Sequence, residues 1–275
     1  LRHLRLDDVY PVVEGYESAT GNFAVAGGLR ANFSDLVGTT ALDLTSSYSP
    51  DPDLSSSERL HLSAVFHHWN WRVAATLNRA DFYDLFGPTR TSRRGYSLAV
   101  QYQGTLLFDP PRSLKYTLQA AGYGGLKTVP EYQNVTAPFD KLLSFSGGLA
   151  YGSLRRSLGA VDDEFGTTWG ATVRGNYVNG TSYPRLNLDA ARGFLLPLSH
   201  SSLWLRASAG TALAGNRSDP FARFYFGGFG NNWVDHRAVR QFRETESFPG
   251  IAINAVGGAS YGKAQVEWTS PPLRF

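Results

Sequence analysis

The stretch Tyr96-Ser97-Leu98-Ala99-Val100-Gln101-Tyr102-Gln103-Gly104-Thr105-Leu106 decides the fold class. Tyr96, Leu98, Val100, Tyr102 and Leu106 share one parity; Ser97, Ala99, Gln101, Gln103 and Thr105 share the other. Successive side chains of a strand point to opposite faces, so this stretch is a ribbon with one apolar and one polar face. The same period returns along the chain. Trp71, Val73, Ala75 and Leu77 alternate with Arg72, Ala74, Thr76 and Asn78. Trp169, Ala171, Val173 and Tyr177 alternate with Thr168, Thr172, Arg174 and Asn176. Leu203, Leu205, Ala207 and Ala209 alternate with Trp204, Arg206 and Ser208, and Ala264, Val266 and Trp268 with Gln265, Glu267 and Thr269.

A soluble sandwich also alternates, with its polar parity turned to water. Two features favour a barrel in lipid. Tyr or Trp caps the apolar parity at segment ends, as at Trp71, Tyr96, Trp169 and Tyr177, which suits interfacial girdles. The segments also approach the length of about ten residues that crosses a bilayer at a tilt.

Composition narrows the choice. The chain has 275 residues and a net charge of +3, with 18% charged and 13% aromatic residues. That balance disfavours disorder. The 29 glycines disfavour a helical bundle. Mean hydropathy is −0.25, and no apolar run nears the roughly 18 residues of a membrane helix. There is no Cys, so disulfides, thiolate metal sites and Cys nucleophiles are excluded. There is no Met, and the first residue is Leu1, which leads to the expectation of a piece of a longer product.

The expected architecture is therefore all-β: one antiparallel transmembrane β-barrel domain over residues 1–275, with about 12 strands and no significant helix. The segments are centred on Val9–Tyr16, Phe23–Phe33, Thr40–Tyr48, Arg59–Trp69, Trp71–Phe82, Gly95–Phe108, Leu114–Gly124, Leu142–Leu154, Thr168–Val178, Pro184–Leu196, Ser202–Ala214 and Ile251–Thr269. Short connections at Asp35–Thr39, Asn70, Asp109–Ser113 and Pro197–Ser201 alternate with longer ones at Ser49–Glu58, Tyr83–Arg94, Leu126–Lys141, Asn179–Tyr183 and Gly215–Gly250. Outer-membrane barrels have short periplasmic turns and longer extracellular loops. Arg155–Gly166 is long for the short side.

Several function classes fall away. Lys occurs only at Lys115, Lys127, Lys141 and Lys263, and Arg is dispersed, which is not the clustered charge of a nucleic-acid binder. His61 and His67 are six residues apart, roughly 20 Å along a strand, too far to chelate one ion. Asp162-Asp163-Glu164 reads as a solvated acidic turn. No Gly-x-Ser-x-Gly, phosphate loop or His-Glu-x-x-His is present. Neither an enzyme nor a cofactor or metal site is expected.

Two stretches carry more than periodicity. The first runs Phe224-Tyr225-Phe226-Gly227-Gly228, then Ala238-Val239-Arg240-Gln241-Phe242, then Phe248-Pro249-Gly250, with Val256-Gly257-Gly258 and Val266-Glu267-Trp268-Thr269-Ser270-Pro271 after it. It resembles the bacterial surface-antigen superfamily of outer-membrane barrels, which includes the BamA assembly factor and the two-partner secretion transporters. The second, Asp81-Phe82-Tyr83-Asp84-Leu85-Phe86-Gly87-Pro88-Thr89-Arg90 with Ser92-Arg93-Arg94-Gly95-Tyr96, looks like members that carry a TolB-like propeller.

The resemblance implies that Gly227 and Gly228 lead into a long extracellular loop, residues 215–250, that folds back into the lumen. Val239, Arg240 and Phe242 would form its lock, with Arg240 reaching an acidic or aromatic group on the inner wall. Glu267 is the first candidate partner and Asp189 the second; Asp43 is weaker. The other reading of Arg240 is a solvated arginine in a wet loop. The motif glycine of the family is Gln241 here. Arg30, Asp43, Arg72, Arg174 and Arg206 fall on the lumen parity. They make either a wall that guides a polar solute or chain, or the hydrated interior that any barrel has.

Family barrels have about sixteen strands. The expectation is a fragment, a barrel closed by fewer strands, or one completed by another chain. The implied function is insertion of outer-membrane proteins or passage of polypeptide across a bacterial outer membrane. The implied partners are membrane lipid, lipopolysaccharide and other outer-membrane or periplasmic subunits. The alternatives are a passive channel or a structural accessory barrel of a larger outer-membrane complex, and third an anchor for an enzyme domain.

Overall fold

The alternating segments become strands in the computed structural model, which describes residues 4–17, 23–50, 52, 55–78, 95–126, 139–160, 162–227, 247–248, 250–251 and 255–270. The strands are β1 (Arg5–Glu17), β2 (Phe23–Ser34), β3 (Thr40–Tyr48), β4 (Leu60–His68), β5 (Trp71–Leu77), β6 (Tyr96–Asp109) and β7 (Arg112–Gly124). They continue as β8 (Leu142–Arg155), β9 (Phe165–Val178), β10 (Thr181–Leu195), β11 (Ser202–Ala212), β12 (Phe224–Phe226), β13 (Val256–Gly258) and β14 (Ser260–Thr269). Two single-turn 3₁₀ segments, Ser56–Glu58 and Pro220–Ala222, are the only helical residues among those described.

β1 to β11 join in sequence order and β14 follows β11, giving a twelve-stranded sheet; β12 and β13 pair as a separate ribbon. The ladders that join β1 through β6, β10 to β11, β11 to β14 and β12 to β13 are all antiparallel. The expected closure into a barrel is not found: the order ends at β1 and β14, and no ladder joins them among the described residues. Alternation reports that a sheet has two unlike faces. It carries no information on whether the first and last edges meet, which depends on strand number and stagger.

The chain divides into two compact units. One comprises Leu1–Tyr102, Gln119–Phe145 and Tyr177–Thr181; the other comprises Gln103–Leu118, Ser146–Asn176 and Ser182–Phe275. In each, the apolar parity is the exposed one. In the first unit Leu98 is 56% exposed, whereas Ser47, Ser49, His61 and Asn78 are buried. In the second, Val266 is 70% and Trp268 64% exposed, while Lys263, Gln265 and Glu267 on the other parity are partly covered.

The single expected segment Ile251–Thr269 is two elements, because β13 leaves the main sheet to pair with β12, Phe226 opposite Val256. The long connection after Arg155 is shortened because β8 ends at Arg155 and β9 begins at Phe165.

Candidate functional site

The polar parity of β10, β11 and β14 carries the richest chemistry of the second unit. Arg206 Nε donates to Glu267 Oε2 across the β11–β14 ladder at 3.1 Å. Its guanidinium also lies over the Trp204 ring, 4.9 Å from the centroid. Trp204 is buried, and it stands opposite Gly193 in the β10–β11 register. A Cβ at position 193 would lie 2.6 Å from the indole. The missing side chain is therefore what lets the ring lie flat and seat the arginine.

A few residues along, the β12–β13 ribbon is fastened to the same parity. Phe224 and Phe226 both meet Tyr261 edge-on, with centroids 4.9 and 4.6 Å away. Such pairs contribute about 0.5–1.5 kcal/mol each beyond area burial. Tyr261 donates its hydroxyl to Asn187. Arg185 donates to the Arg223 carbonyl at 2.5 Å and lies over the Phe224 ring. Asp219 caps the turn before the ribbon by accepting from the Phe221 backbone amide and from the Tyr183 hydroxyl, each at 3.0 Å. Lys263 donates to the Ser247 carbonyl at 2.8 Å. Both described ends of the long connection are thus held on the polar parity of β10 and β14.

Of the residues named for the loop lock, Gly227 directly follows β12; Gly228, Val239, Arg240 and Phe242 lie outside the described residues, as does most of the Asp81–Tyr96 motif. Glu267 is engaged with Arg206. Asp189 is exposed on β10, with its carboxylate against Gly170 of β9. Arg174 is exposed on β9. These residues share a parity without sharing a site.

In the first unit, Arg30 and Asp43 do come together, Nη2 to Oδ2 at 3.5 Å. Arg30 Nε also donates to Asn32 Oδ1 at 3.1 Å, and Asn32 Nδ2 to Asp8 Oδ1 at 2.6 Å. The result is a polar row across β1, β2 and β3. Arg72 faces His67 and Gln101 in the ladders on either side.

Sequence reasoning did not find the buried knot beside that row. His61 places one ring nitrogen 3.3 Å from the Asn78 carbonyl and the other 3.2 Å from Ser49 Oγ. A carbonyl only accepts, so in the neutral ring Nδ1 donates and Nε2 accepts from Ser49. Asn78, at φ +53°, donates to the Ser57 and Leu60 carbonyls and accepts from the Gly95 amide. Asn78 was legible on the polar parity of its strand and Ser49 as the start of a connection; the convergence of Ser49, His61 and Asn78 was not, because it depends on register.

The acidic turn is a second correction. Glu164 is buried rather than solvated. It accepts from the Ser157 amide at 2.8 Å and meets His200 Nδ1 at 3.1 Å. Hydrogen bonding from Ser157 leads the causes that hold its carboxyl below the usual range, with His200 adding to it. Among the described residues no group of three metal-ligating side chains converges.

No protein-family model matches the chain. No curated protein matches it either.

Proposed function

We propose that this chain forms the wall of a bacterial outer-membrane β-barrel of the surface-antigen type, which inserts outer-membrane proteins or passes polypeptide across the membrane. One observation carries the membrane part of the reading. The apolar parity is the exposed one, and much of the polar parity, Ser47, His61, Asn78, Asn176 and Glu267 among it, is covered, the reverse of a soluble sandwich. Exposed Leu98, Val266 and Trp268 are at ease in hydrocarbon and costly in water. No helix among the described residues is long and apolar enough to cross a membrane, so strands would do the crossing.

Lipid also sets a requirement. Unpaired strand edges do not persist in hydrocarbon, so in the working barrel the edges of β1 and β14 would be paired, with each other or with further strands of this or another chain. The polypeptide part of the reading rests on the resemblance and on the long connection. Anchoring of the β12–β13 ribbon by Tyr261, and of Ser247 by Lys263, supports a loop lying along the polar wall. There it would prop the wall or contact a passing chain, and neither task needs a nucleotide or a metal.

The test is depletion of the protein in its native bacterium, with folded outer-membrane barrels followed by heat-modifiable gel mobility. Folded forms are expected to fall as unfolded precursors accumulate in the periplasm. Unchanged assembly, together with ion conductance by the purified protein in planar bilayers, would replace this reading with a passive channel.

A further inference from the structure

The outward parity of the second unit is not a uniform apolar surface. Between β6 and β10 it dips into a groove of about 500 Å³ lined by Leu106, Tyr116, Leu118, Leu149, Val173 and Leu186, with Gly147 and Gly148 at its floor. Gly147 shares the outward parity with Leu149, and a Cβ there would lie 3.3 Å from Leu118 Cδ2. The groove exists because that position has no side chain between its leucine neighbours. Its volume lies within the range of small-ligand clefts.

The surroundings of the groove change in one direction along β8. Two residues past Leu149, Tyr151 stacks on Trp169 of β9 with centroids 5.6 Å apart, as aromatic rings do at a membrane interface. Four residues further on the same parity is Arg155, exposed and without an ion pair among the described residues. On the neighbouring β7, Arg112 occupies the same parity and end, beside the short turn, held to Asp109 at 2.6 Å. From Leu149 to Arg155 is roughly 20 Å along a strand. At the usual tilt of about 45° that is a depth of about 15 Å, half the hydrocarbon core.

We propose that this groove seats one acyl chain of an anionic phospholipid in the leaflet on the short-turn side. The phosphate would meet Arg155 and Arg112, the glycerol region would lie at Tyr151 and Trp169, and the chain end would enter the notch above Gly147. Charge, aromatic level and depth follow the order of such a lipid: anion, interface, hydrocarbon. The proposal rests on the membrane reading above.

The experiment inserts the full chain into vesicles of phosphatidylcholine containing a phosphatidylglycerol probe with a photoactivatable group at the acyl end. Labelled peptides are then mapped. Insertion itself is scored separately, by heat-modifiable mobility and protease protection. Label is expected to concentrate on Leu118, Leu149 and Val173 over Leu205 and Val266, which lie on the apolar parity of β11 and β14. Gly147→Leu is expected to lower that label about tenfold, equivalent to about 1.4 kcal/mol, leaving Leu205 and Val266 unchanged. Arg155→Gln should weaken labelling by the phosphatidylglycerol probe and not by a phosphatidylcholine probe of the same chain.

Even labelling of all outward strands would overturn the site, leaving only ordinary surrounding lipid. Equal labelling by the two probes in the unaltered protein would overturn the anionic head group. If Gly147→Leu fails to insert, Arg155→Gln and competition by unlabelled phosphatidylglycerol decide. Failure of the unaltered chain to insert would overturn the membrane reading and this site with it, whereas normal insertion with even labelling would overturn this site alone.

Discussion

The ion pairs Arg30–Asp43 and Arg206–Glu267 both bridge neighbouring strands on the polar parity. The first is 3.5 Å long, with side chains 40% and 29% exposed; the second is 3.1 Å long, with side chains 24% and 15% exposed. Both arginines were equivalent members of one expected charged wall. What separates them is a third residue. Arg206 rests on the Trp204 ring, and Trp204 lies flat because Gly193 stands opposite it. Arg30 reaches instead toward a row of short polar side chains. A glycine on one strand thus sets the environment of an ion pair on the next two, because a covered pair is screened less than an exposed one.

The comparison breaks most completely at that glycine. Gly193→Val should displace the indole, uncover Arg206 and cost about 3 kcal/mol, at the upper end for overpacking. Gly27→Val in β2, where a Cβ meets nothing within 4 Å, should change stability by less than about 0.5 kcal/mol. Urea unfolding followed by tryptophan fluorescence measures both. Equal losses would show that Gly193 does not seat the ring.

The first unit has its own covered site, and it tests whether hydrogen bonds there match the aromatic seat. His61→Ala leaves the Ser49 hydroxyl and the Asn78 carbonyl without the imidazole, and should cost about 2 kcal/mol in the same assay. A loss under about 0.5 kcal/mol would mean that water replaces the ring without penalty.

The two ion pairs can then be set directly against each other. Glu267→Gln should cost about 1 kcal/mol, whereas Asp43→Asn should cost no more than about 0.5 kcal/mol. Added salt should shrink the second loss more than the first. The reverse order would assign the more consequential pair to the more exposed wall.

The smallest effect is at the β2–β3 turn. Asp35 accepts from the Thr39 hydroxyl at 2.5 Å and from the Thr39 amide at 2.8 Å. Chiefly through the Thr39 hydroxyl, its pKa is lowered to about 2 from 3.8. A depressed folded value gives stability that is present above the unfolded pKa and lost as pH falls through the folded one. The stability difference between the unaltered protein and Asp35→Asn should therefore be constant above about pH 5 and fade between about pH 4 and pH 2. Acid unfolding curves of the two proteins check it, and a difference that persists below about pH 2 would remove the carboxylate as the cause.

Much of the sheet was legible because period two is a local property. Thr40–Tyr48 is a strand with those bounds, the other segments match β1, β2 and β4 to β11 within about five residues, and Ile251–Thr269 contains β14 in its second half. β13 was absorbed into one long segment and β12 into the Gly215–Gly250 connection, since three residues per strand are too few to show a period. Edge closure was not legible, because alternation belongs to faces and closure to edges. The Arg206–Glu267 pair was half visible: both residues were placed on the polar parity, but which acid an arginine meets depends on register and on Gly193. Glu164 was misjudged because one of its partners is His200, which follows β9 and β10 in the chain. No window of sequence around the acidic turn contains that partner.

The alternation has one more consequence. A protein bound for an outer membrane must first cross an inner one, through machinery that diverts long greasy segments sideways into lipid. With polar residues at every second position and a mean hydropathy of −0.25, this chain offers that machinery nothing to divert. On the outer-membrane reading proposed above, an affinity for lipid would stay cryptic while the chain is extended and unpaired. Strand pairing gathers the scattered apolar residues onto one surface, so on that reading the affinity for lipid would arise only once the sheet has formed.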